Sequence, residues 1–202
     1  MLKNLLNDVL GLPHITNGRK RKHEKKIQEL LKNHNFKQTT LDTFGLTKAE
    51  AKDATEAHKG TPMTFVAEPC GTQSFPDFLV CDHDGECYYI ECKSSKQDKI
   101  TWNSGTPKAN AIYIFSSGKY DKQTLSLGVE LWTPEDEERC LKARLRMKEI
   151  CDEIFDKECE VYVYPRPMHI DRKKVYGHPD RRSRVEKVFN HIDRDREYER
   201  VA

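Results

Sequence analysis

Apolar positions recur at two periods along this chain, and the switch between them lays out its elements. Leu2, Leu5, Leu6, Val9 and Leu10 fall on one stripe with the spacing of an amphipathic helix. Ile27, Leu30, Leu31 and His34 repeat that spacing and predict a helix over about residues 18–34. Thr47-Lys-Ala-Glu50 has the form of a capping box, so a second, short helix starts there and stops near Gly60-Thr-Pro62. The period then shortens to two, and strands are expected over 63–68, 76–82, 87–93 and 111–116. Thr133-Pro134-Glu135-Asp136 opens a long helix, with threonine as cap, proline in the first turn and acids on the positive end of the dipole. Its expected core side is Ala143, Met147, Ile150 and Ile154. Residues 160–164 alternate like a strand and stop at Pro165-Arg-Pro167. A last helix near 179–192 turns Val185, Val188, Phe189 and Ile192 inward.

Helix, strands, helix, strand, helix is the order of a single α/β domain with a central mixed β-sheet flanked by helices. The 202 residues suit one such core spanning 1–202. Within it, 1–16 reads as a packing or dimerisation helix and 165–202 as a helical, basic C-terminal extension. No repeat or low-complexity linker divides the chain.

Composition narrows the classes. Charged residues are 34% and apolar ones 36%, which with 9% aromatics describes a folded, well-hydrated protein. No apolar run approaches the ~20 residues that span a bilayer, and no signal peptide is visible, so a cytoplasmic location without membrane attachment is expected. Seven cysteines without paired Cys-x-x-Cys spacing argue against a zinc ribbon or a disulfide framework. Cys81 and Cys87 flank a turn and could approach one another, but read as small strand residues and not as a zinc or redox pair. Net charge is only +2, but it is unevenly spread. The runs 19–26 and 172–184 are basic and 130–160 is acidic, which points modestly to a polyanionic partner. The eight histidines show no metal spacing, and there is no glycine-rich phosphate loop, so no nucleotide cofactor is expected.

The chemistry concentrates between Gly71 and Lys93. Asp84-Gly85 between two β-rich runs is a hairpin signal. With His83-Asp84-Gly85 as the loop, Asp82 pairs with Glu86 and Asp77 stands opposite Glu91; a four-residue loop would shift this register. Glu91 and Lys93 share a face because strand side chains alternate. Two adjacent carboxylates repel unless a cation lies between them. Mg2+ suits hard oxygen donors: Asp77, Glu91, the backbone carbonyl of Cys92 and waters. Lys93 would then orient or help deprotonate the attacking water, or stabilise charge on a phosphate.

Pro76-Asp77 followed by Glu91-Cys92-Lys93 resembles the PD-(D/E)xK nuclease superfamily, especially small type II restriction endonucleases. The resemblance implies that Asp77 and Glu91 bind Mg2+, that Lys93 assists the nucleophilic water, and that the fold is restriction-endonuclease-like. In that family a helix before the motif often supplies another acid, and Glu24 fits that place. It shares an inward stripe with Ile27 and Leu31, whereas Glu29 points the opposite way. The segment from Lys99 to Pro107, with Ile112-Tyr-Ile-Phe115, is similar to one in some of these enzymes. The likeness covers roughly residues 20 to 116.

The function implied is site-specific, Mg2+-dependent hydrolysis of double-stranded DNA by a homodimer. Alternatives are a structure-specific nuclease of the same superfamily, such as a junction resolvase or repair nuclease, and a DNA-binding module without catalysis. Gln73, Ser74, Lys96, Lys99, Trp102, Asn103 and Ser104 are the candidate DNA contacts, with packing of Trp102 on the core the equal alternative for that residue.

Overall fold

The computed structural model describes residues 1–16, 21–41, 47–56, 60–72, 74–102, 107–155, 159, 163, 168–170 and 182–190. In chain order the elements are α1 (Leu2–Leu10), α2 (Lys22–Asn33), β1 (Lys37–Thr39), α3 (Lys48–Glu56), β2 (Thr64–Ala67), β3 (Phe78–Cys81), β4 (Cys87–Ser95), β5 (Lys99–Thr101), β6 (Ile112–Ser117), β7 (Lys122–Leu127), α4 (Gly128–Leu131), α5 (Pro134–Ile154), β8 (Met168–Ile170) and α6 (Arg182–Phe189). Six strands form one open sheet in the order β1-β2-β3-β4-β6-β7, while β5 and β8 pair separately. The β1–β2 and β4–β6 pairs are parallel and the others antiparallel, so the sheet is mixed and the chain is α/β as expected.

One face of the sheet is covered by helices. The whole apolar stripe of α1 is buried, with Ile27 and Leu31 of α2 and Val185 and Val188 of α6, over Phe78, Ile90, Ile112, Ile114 and Leu125. Each such side chain contributes roughly 1.5–3 kcal/mol by leaving water. The stripe of α1 therefore packs within the chain's own core. Its first turn is held by Asp82, whose carboxylate accepts from the Leu2 N–H at 3.2 Å. The opposite face buries Val66, Leu79, Tyr89, Ile100, Trp102, Tyr113, Phe115 and Leu131. The capping box of α3 forms as read: Glu50 N–H donates to Thr47 Oγ1 and Thr47 N–H to Glu50 Oε2. Thr133 caps α5 by accepting from Asp136 N–H at 3.2 Å.

The β3–β4 hairpin has the three-residue-loop register. Cys81 pairs with Cys87 and Phe78 with Ile90, Asp82 N–H donates to Glu86 O, and Gly85 takes the left-handed φ of 83°. That register corrects the reading of Cys81 and Cys87. Directly opposite, with Cα atoms 4.0 Å apart, they are joined as a disulfide. Gly60 packs on this bridge, where any Cβ would collide with Cys81 Sγ. Gly60→Ala should therefore destabilise the oxidised protein by about 1–3 kcal/mol. The penalty should shrink in dithiothreitol, because separate thiols can move apart. Equal losses of denaturation midpoint with and without reductant would show that the bridge is not the obstacle.

Other expectations need correction. Met147, Ile150 and Ile154, placed on the core side of α5, are 47%, 48% and 66% exposed, and Ala143 is exposed too. Periodicity identifies an apolar face without saying what covers it. Strands β1, β5 and β8 are three residues each, too short to show a period. β7 hides because its buried positions include Gln123, Thr124 and Ser126. The expected strand at 160–164 and helix end at Ile192 lie almost wholly outside the described residues, as does most of the basic run 172–184. Among the described residues, no helix is long and apolar enough to cross a membrane.

Candidate active site

The site forms where the hairpin meets α2. One step beyond Phe78↔Ile90, the ladder sets Asp77 opposite Glu91, and side chains close the pair. Asp77 N–H donates to Glu91 Oε2 at 3.1 Å, and Cys92 N–H donates to Asp77 Oδ2 at 2.7 Å. Lys93, two residues past Glu91 on the same face, donates from Nζ to Glu91 Oε1 at 2.7 Å. These side chains are 14%, 12% and 23% exposed, so little water screens their charges. Parallel pairing with β6 sets Tyr113 beside Glu91 and Phe115 beside Lys93.

The second wall comes from the start of α2 and the end of β2. Glu24, in the first turn of α2, lines one cavity of about 180 Å³ with Asp77, Glu68, Arg21, Lys25 and Gln28. Glu68 follows β2 with a left-handed φ of 51°, and its N–H donates to the Asp77 carbonyl at 2.8 Å. Arg21 joins the walls: its guanidinium pairs with Glu24, with Glu68 and, at 3.8 Å, with Asp77.

Charge crowding shows in the titration of Asp77. Burial, then the neighbouring Glu91 and Glu24 charges, push its carboxyl up to about 7, against the lowering effect of the Cys92 N–H and Lys93. Burial alone would lower Lys93, but the charge and hydrogen bond of Glu91 outweigh it, so the amine is held above its ordinary value as an ammonium. Burial and the Glu91 charge likewise raise Tyr113, whose hydroxyl accepts from Lys108 N–H at 2.7 Å.

The donor set fits a hard divalent cation. The ligand pattern Mg2+ favours is one or two carboxylates with carbonyl and water oxygens, and the paired Asp77 and Glu91 provide the carboxylates. A carboxyl raised to about 7 by burial and by its acidic neighbours is one whose ionised form a cation would favour. Among the described residues no three His, Cys, Asp or Glu side chains cluster as a complete ligand set, so carbonyl and water oxygens must fill the rest. Cys92 is buried, with its backbone against Asp77.

The other sequence candidates separate. Trp102 is buried, edge-to-face with Tyr113 at 5.3 Å and with Lys93 Nζ 5.9 Å from its ring centre, so the packing alternative is the one realised. Lys96 and Lys99 are exposed, Ser74 is half-buried, and Gln73, Asn103 and Ser104 lie outside the described residues. Glu29 is exposed and paired with Lys26, away from the site. Sequence reasoning missed Arg21 and Glu68. Arg21 was read as part of a basic run, and Glu68 as the end of a strand; neither carries a period or motif. Comparison of the chain with protein-family models, with curated proteins and with solved structures finds no match.

Proposed function

We propose that this chain is a Mg2+-dependent endonuclease of the PD-(D/E)xK type, with a restriction-endonuclease-like fold, that cleaves duplex DNA at a specific short site. One observation carries the reading: Asp77 and Glu91 meet across a hairpin, with Lys93 bonded to Glu91 and Glu24 on the facing helix. Bound at Asp77 and Glu91, Mg2+ would supply positive charge to the scissile phosphate and make the attacking water more acidic. Glu91 holds the Lys93 ammonium at the edge of the site, aimed to orient that water and to stabilise charge growing on phosphate oxygens. Tyr113, Trp102 and Phe115 keep bulk water off that side. Of the basic run 19–26, Lys22 and Lys25 are exposed on α2 and give phosphate contacts that position the duplex without reading its sequence.

The test is incubation of the full chain with long duplex DNA and Mg2+, read on a gel. Discrete fragments support site-specific cleavage. A smear, or cleavage confined to branched DNA, would move the protein to a structure-specific nuclease. Intact DNA under all conditions would overturn the nuclease reading and leave a binding module.

Cutting both strands from one active site per chain favours a homodimer. The uncovered apolar face of α5 supports it, since Ile150 and Ile154 are exposed on a 21-residue helix. Ile150→Lys combined with Ile154→Lys should convert dimers to monomers in sedimentation velocity without lowering the unfolding midpoint. A dimer that survives the pair would place the interface elsewhere.

A further inference from the structure

Arg21 has partners that nothing in the proposed chemistry requires. Its backbone is left-handed (φ 49°, ψ 44°) at the residue before α2. From there its guanidinium reaches three acids on separate parts of the fold: Glu24 on α2, Glu68 after β2 and Asp77 before β3. The start of a helix is the positive end of its dipole, an unfavourable place for a cation, so the carboxylates and not the helix hold Arg21 there. Glu24 and Asp77 are 13% and 14% exposed, whereas the Arg21 side chain is 36% exposed at the rim. It can swing into solvent without opening the core.

We infer that Arg21 is a tethered counter-cation that holds the acidic site in the metal-free protein, so that a divalent ion binds only by displacing it. This rests on the metal-site reading of Asp77 and Glu91. A guanidinium stays charged at all working pH values, so it cannot yield by losing a proton; it must move. Two cations sharing Asp77 in a poorly hydrated site repel each other, so occupancy by one excludes the other. The apparent affinity for the metal is then reduced by the fraction of molecules in which Arg21 has swung out.

The experiment is Mn2+ binding to the full chain, followed by the electron paramagnetic resonance signal of the free ion, with no DNA present. Arg21→Gln should bind Mn2+ roughly tenfold more tightly, as if Arg21 filled the site about nine-tenths of the time. Arg21→Lys should tighten binding by a smaller factor, because it keeps the charge but loses the planar five-donor fork that spans the three carboxylates. Asp77→Asn should lose the site. Unchanged or weaker Mn2+ binding in Arg21→Gln, with the site still lost in Asp77→Asn, overturns the inference and leaves the metal reading standing. Wild-type binding in Asp77→Asn overturns the metal reading and the inference with it. If Arg21→Gln does not fold, Arg21→Lys decides alone, and unchanged affinity there overturns the inference.

Discussion

Asp77→Asn is expected to slow Mg2+-dependent cleavage by at least about a thousandfold while leaving duplex binding in place. A metal ligand contributes several kcal/mol to the transition state, and about 4 kcal/mol corresponds to that factor. The substitution is conservative in shape: the asparagine oxygen can still accept the Cys92 N–H that now bonds to Asp77 Oδ2. The loss is thus of charge and ligation, not of the hairpin. Glu91→Gln should lose as much, and should also reduce the Lys93 ion pair to a hydrogen bond with a neutral acceptor. Lys93→Met should cost less, about a hundredfold, because it removes a water-orienting group and spares the ligands. Without metal, Asp77→Asn should bind duplex more tightly than the wild type, since a carboxylate facing phosphate is gone. Single-turnover cleavage with filter binding on the same preparations separates these effects. Near-normal cleavage by Asp77→Asn or Glu91→Gln would remove the active-site assignment, and equal losses of binding and cleavage would point to misfolding.

Between pH 4 and 7 two large contributions to the pH dependence of stability should oppose each other in the wild type. His23 is fully buried, and burial, offset in part by Gln123, lowers its pKa from 6.5 to about 4. Over that window the unfolded chain takes the proton and the folded chain does not, so this contribution is lost as pH falls from 6.5 to 4. Asp77 runs the other way. Its carboxyl is raised from 3.8 to about 7, so the folded chain holds a proton the unfolded chain has released. That contribution is full below pH 4 and lost as pH rises to 7. Each amounts to roughly 3–5 kcal/mol at about 1.4 kcal/mol per pH unit. Single substitutions uncover them. Asp77→Asn should gain stability steadily as pH rises from 4 to 6.5, and His23→Gln should lose it from 4 to 7. Urea unfolding at four pH values, taken as differences from the wild type, removes the common background. Parallel profiles for all three proteins would mean that neither group titrates as its surroundings dictate.

What the sequence told in advance was local. A single Asp-Gly turn set the hairpin register, and with it the meeting of Asp77, Glu91 and Lys93. The stripe of Ile27 and Leu31 aimed Glu24, because a helix face is fixed by its own spacing. What failed depended on distant parts of the chain. Glu68 meets Asp77 through the pairing of β2 with β3, and Arg21 only where the start of α2 lies against them, and no periodicity encodes either meeting. The Cys81–Cys87 bridge is implicit in the same register: the two cysteines flank the turn, and the ladder sets them directly opposite. For Trp102 the sequence leaves DNA contact and core packing equally open, and the indole packs inward on Tyr113. In α5 a well-formed apolar stripe was assigned to a core that does not reach it.

The disulfide at the base of the β3–β4 turn changes what kind of genetic lesion the site can survive. A strand slipped by one residue sends every side chain to the other face, and here that would turn Glu91 and Lys93 away from Asp77. Cys81 and Cys87 tie the strands together just inside the turn, so lengthening the 83–85 loop enlarges a closed ring and leaves the ladder in phase. An extra codon between His83 and Glu86 should thus be tolerated, whereas the same codon between Cys87 and Glu91 puts the carboxylate out of phase. With both cysteines replaced, the two insertions should become equally harmful. A covalent staple remote from the carboxylates would then mark the boundary between a permissive tip and a frame-locked strand.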